Sequence, residues 1–92
     1  MKPLPDHFIG RGAYRGFIFA KIQTSDLAFL YEVNVSGALY YHVFRRRENK
    51  RFGNVRYPTP NAFGMWALCF YKDYDKAKMK FDELNNSEKN ER

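Results

Sequence analysis

The strongest constraint on the fold is a pair of alternating segments that meet at Ser36-Gly37. Residues from about Ala28 to Val35 precede this dipeptide with an apolar side chain at every second position, and residues from about Leu39 to Arg46 follow it. Successive side chains of a β-strand point to opposite faces, so each segment predicts a strand. Glycine tolerates the positive φ that a tight hairpin turn requires. The pattern therefore predicts a β-hairpin and an antiparallel sheet.

Two further strands are predicted around this hairpin. Alternation from Tyr14 to Ile22 predicts a strand before it, and Thr24-Ser25-Asp26 supplies the connecting turn. After it, Arg47-Glu48-Asn49-Lys50 forms a turn into a fourth strand from about Phe52 to Tyr57. The next residue is a proline, which has no N–H for a ladder and ends the strand. These segments predict one meander.

Residues 60–71 leave two interpretations open after an irregular loop at Thr59 to Gly64. Large apolar side chains at Trp66, Leu68 and Phe70 alternate with smaller or more polar neighbours, which favours a fifth strand ending near residue 71. Proline suits the first position of a helix, so Pro60 leaves a short helix as the alternative.

The C-terminal part of the chain has helical spacing. Asp73 is a suitable N-cap, and apolar residues recur at intervals of three and four up to Leu84. Two early prolines predict an extended arm at residues 1–13, and the polar residues 85–92 predict a fraying tail. We therefore expect one α+β domain over residues 1–92, with an antiparallel meander of four to five strands at 14–71 packed by one C-terminal α-helix at 73–84.

Aromatic residues are abundant for so short a chain. The 92 residues include nine Phe, seven Tyr and one Trp. A domain of this size buries only about 60–65% of its unfolded surface, so it is unlikely to hide every ring completely. We expect several rings to line a surface that has a function.

A basic run is the main functional clue. Residues 45–56 carry six cations and one carboxylate, which accounts for +5 of the net charge of +6. Arginine engages phosphate through two donors and stacks on bases, so the run predicts phosphate binding. The alternative is a solvated hairpin whose charges prevent association between sheet edges. The predicted phosphate contacts are Arg45, Arg46, Arg47, Lys50, Arg51 and Arg56.

Aromatic side chains beside this run predict a binding platform. Tyr40, His42 and Phe44 would line one face of the third strand, where rings could accept bases while cations follow the backbone of a single strand. The alternative is that the helix covers this face and the rings are core. Strand alternation also places Arg45 and Arg46 on opposite faces, so we expect phosphate contacts mainly from the turn.

Enzymatic and metal-dependent functions have little support in the sequence. His7, His42 and Cys69 lack the spacing of metal ligands, and no phosphate-binding glycine loop is present. Cys69 lies in an apolar run, which predicts a buried and inert thiol. We therefore expect a non-enzymatic protein with no catalytic residues, no metal and no cofactor.

The partner is expected to be nucleic acid in single-stranded form, or an acidic protein surface. The alternative function is a protein-interaction or structural accessory protein, of the kind found in phages or mobile elements, that uses the basic hairpin or exposed rings. No signal peptide or membrane span is recognised, and the single cysteine allows no intrachain disulfide. These features predict a cytoplasmic, reducing location without membrane contact, and leave the oligomeric state open.

The order of elements resembles two known families. Four or more antiparallel strands followed by one helix resemble the whirly-type single-stranded DNA binders, and the end from Phe70 to Leu84 is similar in pattern to that of Trp-Gly-Arg domains. The sequence has no Trp-Gly-Arg tripeptide, and its nearest segment is Phe52-Gly53-Asn54-Val55-Arg56. Likeness in element order implies a fold and says little about function.

Overall fold

The computed structural model describes residues 4–49, 51 and 53–90, and it confirms an α+β fold with an antiparallel five-stranded sheet packed against one C-terminal helix. Short 3-10 turns at Gly12–Tyr14 and Pro60–Ala62 interrupt the connections. The strands and the helix are β1 (His7–Ile9), β2 (Ile18–Thr24), β3 (Ala28–Val35), β4 (Ala38–Arg45), β5 (Glu48–Asn49), β6 (Asn54–Val55), β7 (Ala67–Tyr71) and α1 (Tyr74–Asn90).

The sheet has the order β1-β2-β3-β4-β7, with every neighbouring pair antiparallel. Its centre is the predicted hairpin, in which Val35 pairs with Ala38 across the turn. Ser36 and Gly37 both have positive φ, at 51° and 90°, as a tight primed turn requires. The Gly37 N–H also donates to Asn34 Oδ1 over 2.9 Å. The hairpin is thus fixed by local sequence.

The predicted fourth strand, from Phe52 to Tyr57, is wrong in extent and in partner. Its described part contributes only β6, which pairs with β5 in a separate two-stranded hairpin, while Phe52 lies outside the described residues. The place beside β4 belongs to β7, which confirms the strand interpretation of residues 66–71. Pro60 does occupy the first position of a helix, but that helix is a single 3-10 turn.

The N-terminal arm is more structured than predicted. His7 to Ile9 form the edge strand β1, and the 3-10 turn at Gly12–Tyr14 delays the start of β2 to Ile18. Tertiary contacts explain the difference. The Phe8 ring stacks on a β2 ring, Phe19, with centroids 4.4 Å apart. A buried tyrosine of β3, Tyr31, donates its hydroxyl to the Pro5 carbonyl over 2.6 Å.

The helix begins where the sequence predicts and ends later. Asp73 Oδ1 accepts a hydrogen bond from the Lys76 N–H over 3.0 Å, so Asp73 is the N-cap. The helix does not end at the predicted residue 84, since α1 continues to Asn90. Ser25 Oγ donates to Asn85 Oδ1, which ties this part of the helix to the turn between β2 and β3.

Both faces of the central sheet are covered. On one face, the α1 residues Ala77, Phe81 and Leu84 pack on Leu30 and Val43 of the central strands. The opposite face carries a second core made largely of aromatic rings, which we call the aromatic core. Its covering side chains come from the arm and from the segment between β4 and β7, and they include Phe8, Tyr14, Tyr57, Phe63 and Trp66. No helix in the described part of the chain has the length and apolar character needed to cross a bilayer.

Candidate nucleic-acid interface

Two of the three rings predicted to form a platform lie inside the aromatic core. Phe44 is 0% exposed and His42 is 6% exposed. The Tyr57 ring closes over both, with its centroid 4.8 Å from that of Phe44. Neither ring offers a surface on which a base could stack, so both are core residues. The prediction that the helix would cover them is wrong, because α1 packs on the opposite face. Tyr40 is half-buried and packs against the exposed Tyr71 with centroids 4.9 Å apart.

Burial also removes His42 from the set of charged groups. Desolvation lowers the pKa of His42 to about 4, so the imidazole is neutral near pH 7. Its Nδ1 lies 2.8 Å from the Tyr57 hydroxyl oxygen, a hydrogen-bond distance. Burial raises the pKa of that phenol as well, which keeps both partners neutral. His42 is therefore a hydrogen-bonded core residue and supplies no positive charge to a ligand.

Cys69 lies directly across the β4–β7 ladder from His42. The prediction that this thiol is buried is wrong: Cys69 is exposed because β7 is the outer strand of the sheet. Partial burial nevertheless raises the pKa of Cys69, and His42 stays neutral, so the pair favours a thiol beside an imidazole rather than an activated thiolate. Within the described residues, no group of three His, Cys, Asp or Glu side chains could hold a metal ion.

The first two arginines of the basic run leave β4 on opposite sides, as alternation predicts. The Arg46 guanidinium lies 5.5 Å from the centroid of Phe29 in the aromatic core, and its Nε is 3.4 Å from Glu48 Oε2. Arg46 therefore contributes to packing and to a local ion pair. Arg45 lies on the helix side, where it lines a cavity that also contacts α1.

The third arginine makes a contact with the single tryptophan. Arg47 is exposed, and its guanidinium carbon lies 5.1 Å from the centroid of the half-buried Trp66 ring. The Trp66 carbonyl accepts a hydrogen bond from the Arg45 N–H over 3.2 Å, so the end of β4 fixes the backbone beside this ring. We call the pair of the exposed Arg47 and the half-buried Trp66 the Trp66 corner.

Two further cations of the run, Arg51 and Arg56, lie on or next to the small hairpin of β5 and β6. Arg51 and Arg56 are exposed, and the Arg56 N–H donates to the Arg47 carbonyl over 2.8 Å, which holds Arg56 close to the Trp66 corner. Lys50 falls outside the described residues. No described carboxylate lies within ion-pair distance of Arg47 or Arg56, so both charges are available to a ligand.

A cavity of about 270 Å³ adjoins the Trp66 corner on the helix side. Arg45 and Lys80 are its charged lining residues, and Trp66, Leu68 and Leu84 supply apolar walls. The sequence prediction missed Trp66 and Lys80. The alternating pattern predicts Trp66 as part of a buried strand, and the helical pattern predicts Lys80 as a solvent-exposed helix residue. Their meeting with Arg45 depends on how α1 packs, which no local pattern specifies.

Comparisons of the chain with protein-family models, with curated proteins and with solved structures gave no match. The likeness in element order to whirly-type proteins and to Trp-Gly-Arg domains therefore adds no argument about function. Functional inference rests on the charges and rings described above.

Proposed function

We propose that the protein is a non-enzymatic module that binds single-stranded nucleic acid at the Trp66 corner and along the β5–β6 hairpin. The observation that carries the proposal is the contact of the exposed Arg47 guanidinium with the half-buried Trp66 ring, 5.1 Å from its centroid. An accessible ring beside unpaired cations is what a single strand requires, because unpaired bases stack on rings while phosphates follow positive charge.

The geometry favours single strands over duplexes. Trp66 is an aromatic residue in contact with an exposed arginine, Arg47, and its indole would accept one base. A base within a duplex is already stacked and cannot present its face to the ring. Arg47 and Arg56 lie on the same side of the hairpin base, joined by their backbone hydrogen bond, and so offer two neighbouring phosphate contacts.

Fluorescence anisotropy of a labelled oligothymidine, measured across a salt series, tests this proposal. If Arg47, Arg51 and Arg56 each contact one phosphate, log K should fall against log salt with a slope of about −2. The variant Arg47→Ala should reduce that slope by about 0.7. The variant Trp66→Leu should weaken binding about 5- to 150-fold, the effect of losing one stacked base.

The matched control is Arg15→Ala. Arg15 is also exposed, but it precedes β2 at the end of the sheet that carries the β3–β4 turn, opposite the Trp66 corner. It should bind as the wild type does. The proposal fails if neither DNA nor RNA single strands bind at low salt, or if Arg15→Ala lowers affinity as much as Arg47→Ala.

A second candidate function, self-association, is favoured by exposed isoleucines. α1 covers β3, β4 and β7, and on the same face of the sheet Ile9 of β1 and Ile18 of β2 are paired neighbours that remain 68% and 55% exposed. Among the described residues, no strand pairs with the outer edge of β1. Asp6 and Gly10 bond to β2, so by alternation the His7 and Ile9 backbones direct their polar groups outward.

A second copy of the chain is the occupant that fits this edge. If two β1 strands pair antiparallel about Phe8, Ile9 of each copy lies opposite His7 of the other, and Asp6 of each copy lies diagonally near Arg11 of the other. Sedimentation over a concentration series tests this candidate. A concentration-dependent dimer that Ile18→Thr disrupts supports it, and a wild-type monomer at high concentration overturns it.

A further inference from the structure

The outer edge of β7 carries backbone polar groups with which no described strand pairs. The Lys72 N–H donates to the Leu39 carbonyl over 3.0 Å, so the backbone of Lys72 faces β4. Inward and outward residues alternate along an antiparallel strand, so Cys69 and Tyr71 direct their N–H and C=O groups away from β4. The next outward residue, Ala67, already bonds to the preceding loop. The open part of the edge is therefore the C-terminal half of β7.

No feature within β7 discourages the addition of another strand. Its five residues include no charge and no proline, and its register with β4 has no bulge. Such features commonly protect exposed edges, because an unpaired edge is a template for another chain. On the aromatic-core face, the Tyr71 side chain is 56% exposed and packs against Tyr40. The edge thus offers both the backbone groups and the side-chain area that an extended peptide uses when it joins a sheet.

Lysine side chains border this edge. Lys72 directly follows β7. Lys80 lines a cavity together with Leu68 of β7, which places it on the flank of α1 that faces the same edge. No described carboxylate lies within ion-pair distance of Lys72 or Lys80. Lys76 lies one turn before Lys80, but Asp73 Oδ2 is 3.8 Å from its Nζ and offsets part of its charge. Two positive charges beside the edge are therefore available to a partner.

These charges decide between the alternative occupants. Pairing of two β7 edges from two copies of the chain would bring like charges together, which disfavours the pair. A peptide that carries carboxylates would be attracted instead. Strand alternation also specifies the pattern of such a peptide. Residues on the face of Tyr71 should be apolar, and residues on the face that meets the flank of α1 should be acidic.

We propose that β7 accepts an extended acidic peptide of another protein as an additional strand. Its backbone bonds to Cys69 and Tyr71, and its carboxylates lie beside Lys72 and Lys80. The open half of β7 lies at the far end of the strand from the Trp66 corner, because Tyr71 pairs near the β3–β4 turn. The inference is therefore independent of the proposed function.

Fluorescence anisotropy of a labelled eight-residue peptide that alternates valine and glutamate tests the inference. One control peptide alternates valine and lysine, and another has its four valines before its four glutamates. We expect the alternating acidic peptide to bind about tenfold more tightly than either control, because it alone presents apolar and acidic faces to the matching sides of the edge.

Methylation of the peptide nitrogens tests the backbone bonds on the wild-type protein. Methyl groups on the valine nitrogens block antiparallel addition to β7, and methyl groups on the glutamate nitrogens block parallel addition. We expect one methylated peptide to lose binding and the other to retain it. The peptide that fails identifies the direction of the added strand.

Variants assign the binding to β7. Cys69→Pro should abolish binding because it removes an outward N–H, whereas Cys69→Val keeps that N–H and should bind as the wild type does. Lys80→Gln should weaken binding of the acidic peptide about two- to fivefold, the effect of one surface ion pair. Lys78→Gln is the matched control, because Lys78 belongs to the same helix but pairs with Asp82 at 2.9 Å. Urea unfolding verifies the fold of each variant.

The outcomes separate this inference from the proposed function. Equal binding of the alternating and the block peptides overturns the inference, and so does undiminished binding of both methylated peptides. An equal loss in Lys78→Gln and Lys80→Gln also overturns it, because the attraction would then come from the general charge of the protein. Arg47→Ala should leave peptide binding unchanged while it lowers the affinity for oligothymidine.

Discussion

His42 makes the stability of the protein depend on pH in a predictable direction. The pKa of His42 is about 4 in the folded protein because burial disfavours the imidazolium, whereas an unfolded histidine titrates near 6.5. As the pH falls, the unfolded chain therefore binds a proton first. The contribution that neutral His42 makes to the free energy of unfolding is present above about pH 6.5 and is lost as the pH falls towards 4.

The size of the effect follows from the two pKa values. The linkage relation gives a loss of about 2 kcal/mol between pH 7 and pH 5, and about 3 kcal/mol once the pH reaches 4. Domains of this size are stabilised by only about 5–15 kcal/mol, so a loss of 2 kcal/mol is easily measured. The 2.8 Å contact of His42 with the neutral Tyr57 hydroxyl supplies no opposite charge, and burial is the cause of the lowered pKa.

Urea unfolding at pH 7 and pH 5, followed by the fluorescence of Trp66, measures this loss. Other groups also titrate in this range, so the informative quantity is the difference between the wild type and His42→Gln. The variant keeps a polar group near Tyr57 but has no imidazole to protonate. Between pH 7 and pH 5 we expect its free energy of unfolding to fall by about 2 kcal/mol less than that of the wild type.

The control for this experiment is His7→Gln, which removes a histidine from an exposed position on β1. It should lose stability between pH 7 and pH 5 as the wild type does. A wild type and a His42→Gln variant with the same pH dependence would refute the claim that His42 is held neutral by burial.

Three further substitutions probe the packing by chemical denaturation. Gly10→Ala should destabilise the protein by about 2–3 kcal/mol, because its Cβ would overlap the Tyr14 carbonyl and lie 2.9 Å from a Phe19 ring carbon; an unchanged midpoint would contradict that packing. Phe81→Ala should cost about 3–5 kcal/mol, since this α1 residue is 2% exposed, and a cost below 1 kcal/mol would show that α1 is not firmly docked. Asp73→Ala should cost about 1 kcal/mol through loss of the N-cap, and Asp73→Asn should restore most of it.

Local signals account for the elements that the sequence predicts well. The β3 and β4 strands follow from alternation around a dipeptide that accepts positive φ, and α1 begins at a side chain that caps it. These features depend on residues within a few positions of each other. The extension of α1 beyond Leu84 was missed because its anchor, the Ser25 contact with Asn85, joins residues sixty positions apart.

The parts that the sequence does not predict are set by packing at a distance. β1 contains only three residues, and its pairing with β2 is fixed by Phe8 stacking on Phe19 and by Pro5 accepting the Tyr31 hydroxyl. Alternation also shows which residues share a face without showing what covers that face. The prediction that Tyr40, His42 and Phe44 share one face of the sheet is therefore confirmed, but the covering side chains of the aromatic core bury most of that face.

The aromatic core explains why the candidate interface lies at an end of the sheet. Here α1 covers one sheet face and the arm and loops cover the other, and loops supply enough apolar area only if their side chains are large. Tyr14, Tyr57 and Phe63 serve this purpose, so the rings are used for stability rather than left for bases. Trp66 lies where this covering layer meets the end of β4, and there the indole is half-buried and in contact with Arg47.

The same division applies to the arginines. Arg46 stacks on Phe29 and pairs with Glu48, so neutralising it should lower stability, whereas neutralising Arg47 should lower affinity and leave stability nearly unchanged. Measuring both quantities for Arg46→Gln and Arg47→Gln tests this division directly. If both variants changed only stability, the basic run would serve the fold, and the Trp66 corner would lose its assigned role. Strand alternation thus gives neighbouring arginines of one basic run different contacts, so one contributes to stability and the next to binding. Substituting each arginine singly distinguishes the two contributions.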